Sequence, residues 1–423
     1  MEKLQLKQIV IDQQTELQPR SPTHRPRFQG ELLSQLVINS RLVKVVLGIR
    51  RAGKSTLCLS AIGDERVGYL NFDDERLISA TADDLQPLLS IFQELLPNVS
   101  LLFFDEIQNV EGWELFVNRL QRNGFNVVIT GSNGKLLGAD LATHLTGRQV
   151  SITLFPLSFR EYVLWWSPSN RIVPWEGMPG AEKAALGGLF NEYFEVGGFP
   201  EVVLGEPQGI YLRELFDKVI SRDIVQRYNL REVRTVKEIA SYLLQNSAQH
   251  ISYGKIQTFF NLKSITTTRK YVQLLKDAFL IHEIQGYSNK LTERSTSSRK
   301  VYACDLGMMK ALWSKPTQDL GSKLETLILI ELLRRSYTVF YLKQHGREVD
   351  FCIVENGKPK ALIQVCFDLS DPKTRERELR ALYEMGEAYG VKDLCVITRD
   401  QEECVSYKGV SIRVMTVVQY LMG

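Results

Sequence analysis

Apolar positions change their spacing several times along this chain. Between residues 42 and 154, short runs of aliphatic and β-branched residues (42–47, 67–72, 101–104, 127–130 and 150–154) alternate with segments of helical periodicity. Runs of that length, with no in-out alternation, predict strands buried on both faces and so a parallel sheet covered by helices. The stretch 159–229 turns helical. Residues 231–312 predict two or three helices, then strands at 279–285 and 300–304 around a polar loop at 288–299. Beyond residue 322 a helix (324–335) precedes strands at 338–342, 349–354, 361–366 and 394–398, with a charged helix at 373–389 between the last two. The first 40 residues read as a helix-like lead-in and a loop holding Pro19, Pro22 and Pro26. No internal repeat or low-complexity tract interrupts this order.

Composition narrows the picture without redirecting it. The 423 residues are 44% apolar and 24% charged, which suits folded domains and excludes a disordered or collagen-like chain. At about 100–200 residues per domain, two to four domains are expected. No apolar run reaches the roughly 18 residues a membrane span needs. The N-terminus lacks an apolar signal core, so a cytoplasmic protein is expected. The cysteines (Cys58, Cys304, Cys352, Cys366, Cys395 and Cys404) form no CxxC pair and read as buried, reduced thiols. Charge is uneven. Residues 231–310 hold 13 Lys/Arg against 6 Asp/Glu, a balance of +7, whereas the whole chain is +3 and the remainder −4. Such a segment is either a polyanion-binding module or a solvated face.

The strongest chemical signal is Gly48-Ile49-Arg50-Arg51-Ala52-Gly53-Lys54-Ser55-Thr56, which fits GxxxxGK[ST] after a predicted strand and before a predicted helix. Glycines let the backbone wrap a phosphate chain, with N–H groups aimed inward at the positive end of the helix. Lys54 would reach the β- and γ-phosphates of ATP, and Ser55 would ligate Mg²⁺. The apolar run 101–104 ends in Asp105 and Glu106. A strand buried on both faces delivers such acids at the carboxyl edge of the sheet, beside the phosphate loop. Asp105 is placed to hold Mg²⁺ and Glu106 to polarise the attacking water as general base. The run 127–130 leads to Ser132 and Asn133, either of which could touch the γ-phosphate or position that water; turn chemistry alone also favours such residues there.

These segments, with Thr146-Gly147-Arg148, the run from Phe155 to Glu161 and Gly197-Gly198-Phe199-Pro200, resemble the AAA+-type P-loop ATPases. More narrowly, the chain resembles a prokaryotic family of such ATPases carrying a C-terminal domain with a winged helix and a degenerate restriction-endonuclease-like, PD-(D/E)XK, fold. The resemblance implies an α/β fold: an AAA+ parallel sheet, a helical lid, a winged helix and a C-terminal α/β nuclease-like domain. Its boundaries would be a lead-in at 1–27, the ATPase core at 28–157, the lid at 158–230, the winged helix at 231–315 and the nuclease-like domain at 316–423. It also implies that Arg148 faces a neighbouring subunit's γ-phosphate, although a surface arginine is the plain alternative. Gly198 and Pro200 would lie against the nucleotide base, or simply form an inter-helix loop. A homo-oligomeric ring of about six or seven subunits is the expected assembly.

Within the basic segment, residues 251–260 resemble the first helix of a helix-turn-helix and 264–271 the second. Lys263, Thr266, Thr267, Arg269 and Lys270 are hydroxyls and cations suited to phosphates, with Arg294, Arg299 and Lys300 on a wing. None of them reads a base sequence, so DNA binding would be non-specific or directed by shape. Packing against protein is the other use of such a module. At the nuclease-like positions Glu325 and Asp350 match, whereas Gln364 and Cys366 stand where a carboxylate and a lysine are needed. Gln adds no negative charge for Mg²⁺ and Cys provides no ammonium, so cleavage is expected to be lost. The expected function is an oligomeric ATPase acting on duplex or branched DNA. Its rivals are a nucleotide-controlled switch binding a protein partner and an ATP-dependent nuclease.

Overall fold

The computed structural model describes residues 1–17, 25–134, 147–166, 175–289, 298–313 and 319–423. They form two compact units: residues 1–154 with 277–279, and residues 155–276 with 280–423.

In the first unit, strands β1 (Val43–Leu47), β2 (Val67–Asn71), β3 (Leu101–Asp105), β4 (Asn126–Gly131) and β5 (Gln149–Thr153) make an all-parallel sheet in the order β2-β3-β4-β1-β5. β1 and β3 are buried at every position, as unalternating apolar runs require. Flanking helices are α1 (Lys3–Glu16), α2 (Phe28–Asn39), α3 (Lys54–Ile62), α4 (Leu85–Leu95) and α5 (Trp113–Arg122). The expected lead-in needs correcting. Leu6, Ile9 and Val10 of α1 join the core with Phe92, Phe104 and Phe116, and Gln13 accepts a 2.7 Å hydrogen bond from the Asn71 amide. α1 is therefore a structural layer on the sheet.

The second unit begins with helices α6 (Phe159–Trp166), α7 (Gly180–Val196), α8 (Pro200–Val203) and α9 (Gln208–Lys218), the last running into a π-helix over Val219–Gln226. Next come α10 (Val233–Gln245), β6 (Gln249–Ile251), α11 (Tyr253–Phe259), α12 (Ile265–Asp277), β7 (Ile281–Gln285), β8 (Arg299–Ala303) and α13 (Leu306–Ala311). α10 buries Val236, Ile239, Ala240, Leu243 and Leu244, one stripe at helical spacing. β8 is the middle strand of a small antiparallel sheet, β6-β8-β7.

The chain ends with α14 (Leu320–Arg334), β9 (Thr338–Gln344), β10 (Arg347–Glu355), β11 (Lys358–Val365), α15 (Pro372–Tyr389), β12 (Asp393–Thr398), β13 (Glu403–Tyr407), β14 (Val410–Thr416) and α16 (Val417–Met422). Their sheet runs β13-β14-β12-β11-β10-β9, parallel at β11-β12-β14 and antiparallel elsewhere. Asp319 and Asp371 cap α14 and α15 by accepting from the Ser322 and Thr374 amides. One core cluster draws on all three segments of the unit, from Phe159 and Phe190 through Tyr302 to Ile328, Phe351 and Ile363, and a second lies around Leu342, Leu362, Leu382 and Val396 on the other face of the C-terminal sheet's strands. Each such side chain contributes roughly 1.5–3 kcal/mol by leaving water, so the three segments expected as separate domains share their burial. Five cysteines are buried, as expected, but Cys404 is exposed. Among the described residues no helix is long and apolar enough to cross a membrane.

Candidate functional site

Parallel strands all point their carboxyl ends to one edge, and there the chain places its phosphate-loop sequence. β1 runs into Gly48, whose φ is 149° and where an added Cβ would lie 2.1 Å from the Leu154 carbonyl oxygen. Only glycine fits. Arg51 and Gly53 follow with φ of 67° and 92°, a left-handed pair that curls the loop before α3 starts at Lys54. A non-glycine residue held at positive φ carries strain that the surrounding fold must sustain. Arg50 turns to Asp73 at 2.9 Å, Ala52 is buried and its carbonyl accepts from Arg27, and Thr56 is exposed in the first turn of α3.

Lys54 is buried and donates to the Gly48 and Ile49 carbonyls at 3.1 and 3.3 Å. Its ammonium also lies 3.4 Å from Glu106 Oε1. Asp105 ends β3 and is buried, bonded to the hydroxyls of Ser55 and Thr130 and, at 3.4 Å, to that of Tyr69. Burial, then the neighbouring Glu106 charge, push its carboxyl above the ordinary aspartate range, against those hydrogen bonds and Lys54. Glu106 sits at φ 53° and donates its amide to Thr130 Oγ1. Its Oε2 accepts from the Ser132 amide and hydroxyl at 3.1 and 3.0 Å and from Gln108. Asn133 is buried beside Ser132 in sequence. Cys58, one turn behind Lys54, is held protonated by burial. Lys54, Ser55, Asp105, Glu106 and Ser132 thus converge, which is the arrangement the motif spacing predicts. Tyr69 and Thr130 were not foreseen as Asp105 partners; a hydroxyl on the strand next to a buried acid is the signal that could have found them.

Arg148 lies elsewhere. Its carbonyl accepts from Val43 at the start of β1, five residues before the loop, or roughly 16 Å at 3.3 Å per strand residue. Exposed, it lines a cleft of about 290 Å³ with Arg41 and Arg122 and lies 3.4 Å from Asn118 Oδ1.

Gly198 and Pro200 are buried in the second unit. The Gly198 amide donates to Asp305 Oδ2 at 2.7 Å, and an added Cβ would meet the Leu157 carbonyl oxygen at 2.3 Å. These contacts suit the inter-helix loop, the second of the two roles expected for this turn.

On α12, Lys263 just before it, Thr266, Arg269 and Lys270 are exposed, and Thr267 is half-buried with its amide on Ser264 Oγ. Arg299 pairs with Gln285 and Glu283. Arg294 lies outside the described residues. Lys300 is a correction. Instead of reaching out from a wing, it is buried against the C-terminal segment, 2.7 Å from Glu325 Oε1, 3.0 Å from Glu348 Oε1 and 3.4 Å from Asp350 Oδ1. Around it Asp350 accepts from the Val365 amide, and Gln364 bridges the Asp350 amide to Glu378. Cys366 turns its thiol to the Asp368 carbonyl, and burial pushes it up to about 11. The period-two face that Lys300 shares with Tyr302 could have revealed its inward direction.

The strand order, the wrapped loop at a helix N-terminus and the adjoining acids define a P-loop ATPase of the AAA+ class. Residues 40–163 match the family model described as an AAA domain, and residues 187–319 match a domain of unknown function. Over 367 residues the chain is 36% identical to an uncharacterized protein of Methanocaldococcus jannaschii, covering 83% of this chain and 79% of that one. It is 32% identical over 348 residues to an uncharacterized protein of Haemophilus influenzae, covering 78% and 83%. The chain belongs to the family of these two proteins. Among solved structures it is similar to a Walker-type ATPase of Pyrococcus abyssi, 15% identical, with a TM-score of 0.41 over 70% of this chain and 98% of that chain.

Proposed function

We propose that the chain hydrolyses ATP at the Lys54–Asp105–Glu106 site, as an oligomer that acts on DNA. The observation that carries the first part is the convergence of Lys54, Glu106 and Ser132, linked by contacts of 3.0–3.4 Å. The amides of residues 48–55 would hold the phosphates, with Lys54 exchanging its carbonyl and Glu106 contacts for phosphate oxygens. Two adjacent acids in a buried site, one pushed toward protonation, form a donor set that suits Mg²⁺, and Ser55 and Asp105 would hold it. Bound there, Mg²⁺ would neutralise charge on the phosphates. Glu106 is the acceptor for the proton of the attacking water, and Ser132 or Asn133 fixes its orientation. The distance of Arg148 from its own loop suits a role toward a neighbouring copy, where a guanidinium would stabilise transition-state charge.

The DNA part rests on the described residues of 231–312, which we read as a winged helix, with exposed Lys263, Thr266, Arg269 and Lys270 at the start of its second helix. The C-terminal sheet we read as a nuclease-derived scaffold that no longer cleaves. Glu106→Gln tests the catalytic part: phosphate release should collapse while ATP still binds, and an unchanged rate would refute it. Fluorescence anisotropy with duplex, single-stranded and junction DNA tests the rest. Affinity should fall steeply with salt as counterions are released, and no binding at low salt would favour the nucleotide-controlled switch.

A further inference from the structure

Lys300 sits on the middle strand of a small sheet, yet its charge is spent inside the neighbouring one. Its side chain is 4% exposed. Lys300 and Tyr302 share one face of β8 and both donate to Glu325 Oε1, at 2.7 and 2.8 Å. Directly across the β6–β8 ladder from Lys300 stands His250, whose Nε2 lies 2.7 Å from Glu348 Oε2, while Lys300 takes Oε1 of the same carboxylate. An ammonium has three protons to donate, and Glu325, Glu348 and Asp350 offer one oxygen for each.

The cluster is reachable from solvent. A cavity of about 720 Å³ opens onto Glu348, Asp350 and Gln364, with Arg347, Lys373 and Arg377 on its walls. A divalent cation entering there would need oxygens at roughly 2.0–2.6 Å, and the oxygens facing the cluster already surround an ammonium. Removing that ammonium would leave buried carboxylates uncompensated, a costly state that a metal ion would relieve.

We propose that the Lys300 ammonium is the resident cation of the Glu325–Glu348–Asp350 cluster: it keeps divalent metal out and fastens strand β8 to the C-terminal sheet. This inference is independent of the ATPase reading. It makes the carboxylates a metal site in waiting, closed by a side chain from another part of the unit.

The test is a titration of Mn²⁺ into the nucleotide-free, chelator-stripped full chain, followed by calorimetry and thermal melting. Wild type should show no Mn²⁺ isotherm that Asp350→Asn removes. Lys300→Met should melt lower, gain a stoichiometric Mn²⁺ isotherm and recover melting temperature on adding the metal, and Asp350→Asn in that background should abolish both gains. If Lys300→Met does not fold, Lys300→Met with Glu325→Gln removes one charge of each sign and poses the same question to Glu348 and Asp350. Three results overturn the proposal: Mn²⁺ binding by wild type that Asp350→Asn removes, no Mn²⁺ binding by either Lys300 variant, or Mn²⁺-dependent DNA cutting by wild type that Lys300→Met abolishes, which would make the ammonium part of a reaction.

Discussion

Lys54 and Lys300 are both buried against acids, one in each compact unit, and their surroundings differ in kind. Lys54 has one carboxylate at 3.4 Å and otherwise two backbone carbonyls at 3.1 and 3.3 Å. Those neutral acceptors can be given up for an anion, and the loop around them is held at positive φ at Gly48, Arg51 and Gly53. Lys300 has three carboxylates within 3.4 Å and a neighbouring imidazole on one of them. Burial opposes its charge, but Glu325, Asp350 and Glu348 outweigh this and raise its pKa. A lysine left partly unsatisfied by charge is ready for a ligand, and one already saturated is part of the frame.

The sharpest way to break that contrast is kinetic. Glu106→Gln should lower steady-state ATP hydrolysis by about 10²–10⁴, the range for removing a general base, with a smaller loss of melting temperature than Lys300→Met, because the Gln carbonyl can still accept from Ser132 and only the 3.4 Å contact with Lys54 is lost. Lys300→Met should do the reverse. It should cost about 3–5 kcal/mol in urea unfolding, as expected when one partner of a buried ionic set is removed, with ATP turnover per folded molecule preserved. Comparable losses of turnover in both variants would end the distinction.

A smaller effect follows from titration. Burial and the Asp350 charge raise Glu325 above its ordinary 4.5, against Lys300 and Tyr302. Just above that value the fold keeps a proton that the unfolded chain releases, so stability should decline as pH climbs from 4.5. Glu348 runs the other way. Although burial opposes it, His250 and Lys300 hold it down to about 2, and its contribution is lost as pH falls from 4.5 toward 2. Chemical unfolding at a series of pH values should show the first slope, and Glu325→Gln should remove it. Smallest of all, Arg269→Ala and Lys270→Ala should each reduce the salt slope of DNA binding by about one, leaving both lysine centres untouched.

The strands of the first unit were legible because runs such as 101–104 are apolar at every position, and the loop from Gly48 to Ser55 because its spacing is tied to phosphate geometry. α1 escaped as a structural layer because its Leu6, Ile9 and Val10 are set among Lys and Gln. β13 and β14 escaped because one is an edge strand and the other half-exposed, so neither forms an apolar run. Lys300 was misjudged for a different reason. A cation beside Arg299 in a basic segment looks solvated, and what turns it inward is a set of acids 25 to 50 residues later in the chain.

The contact between Gly48 and Leu154 has a mechanical consequence. Strand β5 is hydrogen-bonded to β1 at both extremities, through the Arg148 carbonyl at one and the Leu154 amide at the other, and at the second the Leu154 carbonyl bears on a glycine with no room for even a methyl group. A shift of β5 along β1 would therefore have to break both bonds and move the Leu154 carbonyl off Gly48, the residue that opens the phosphate loop.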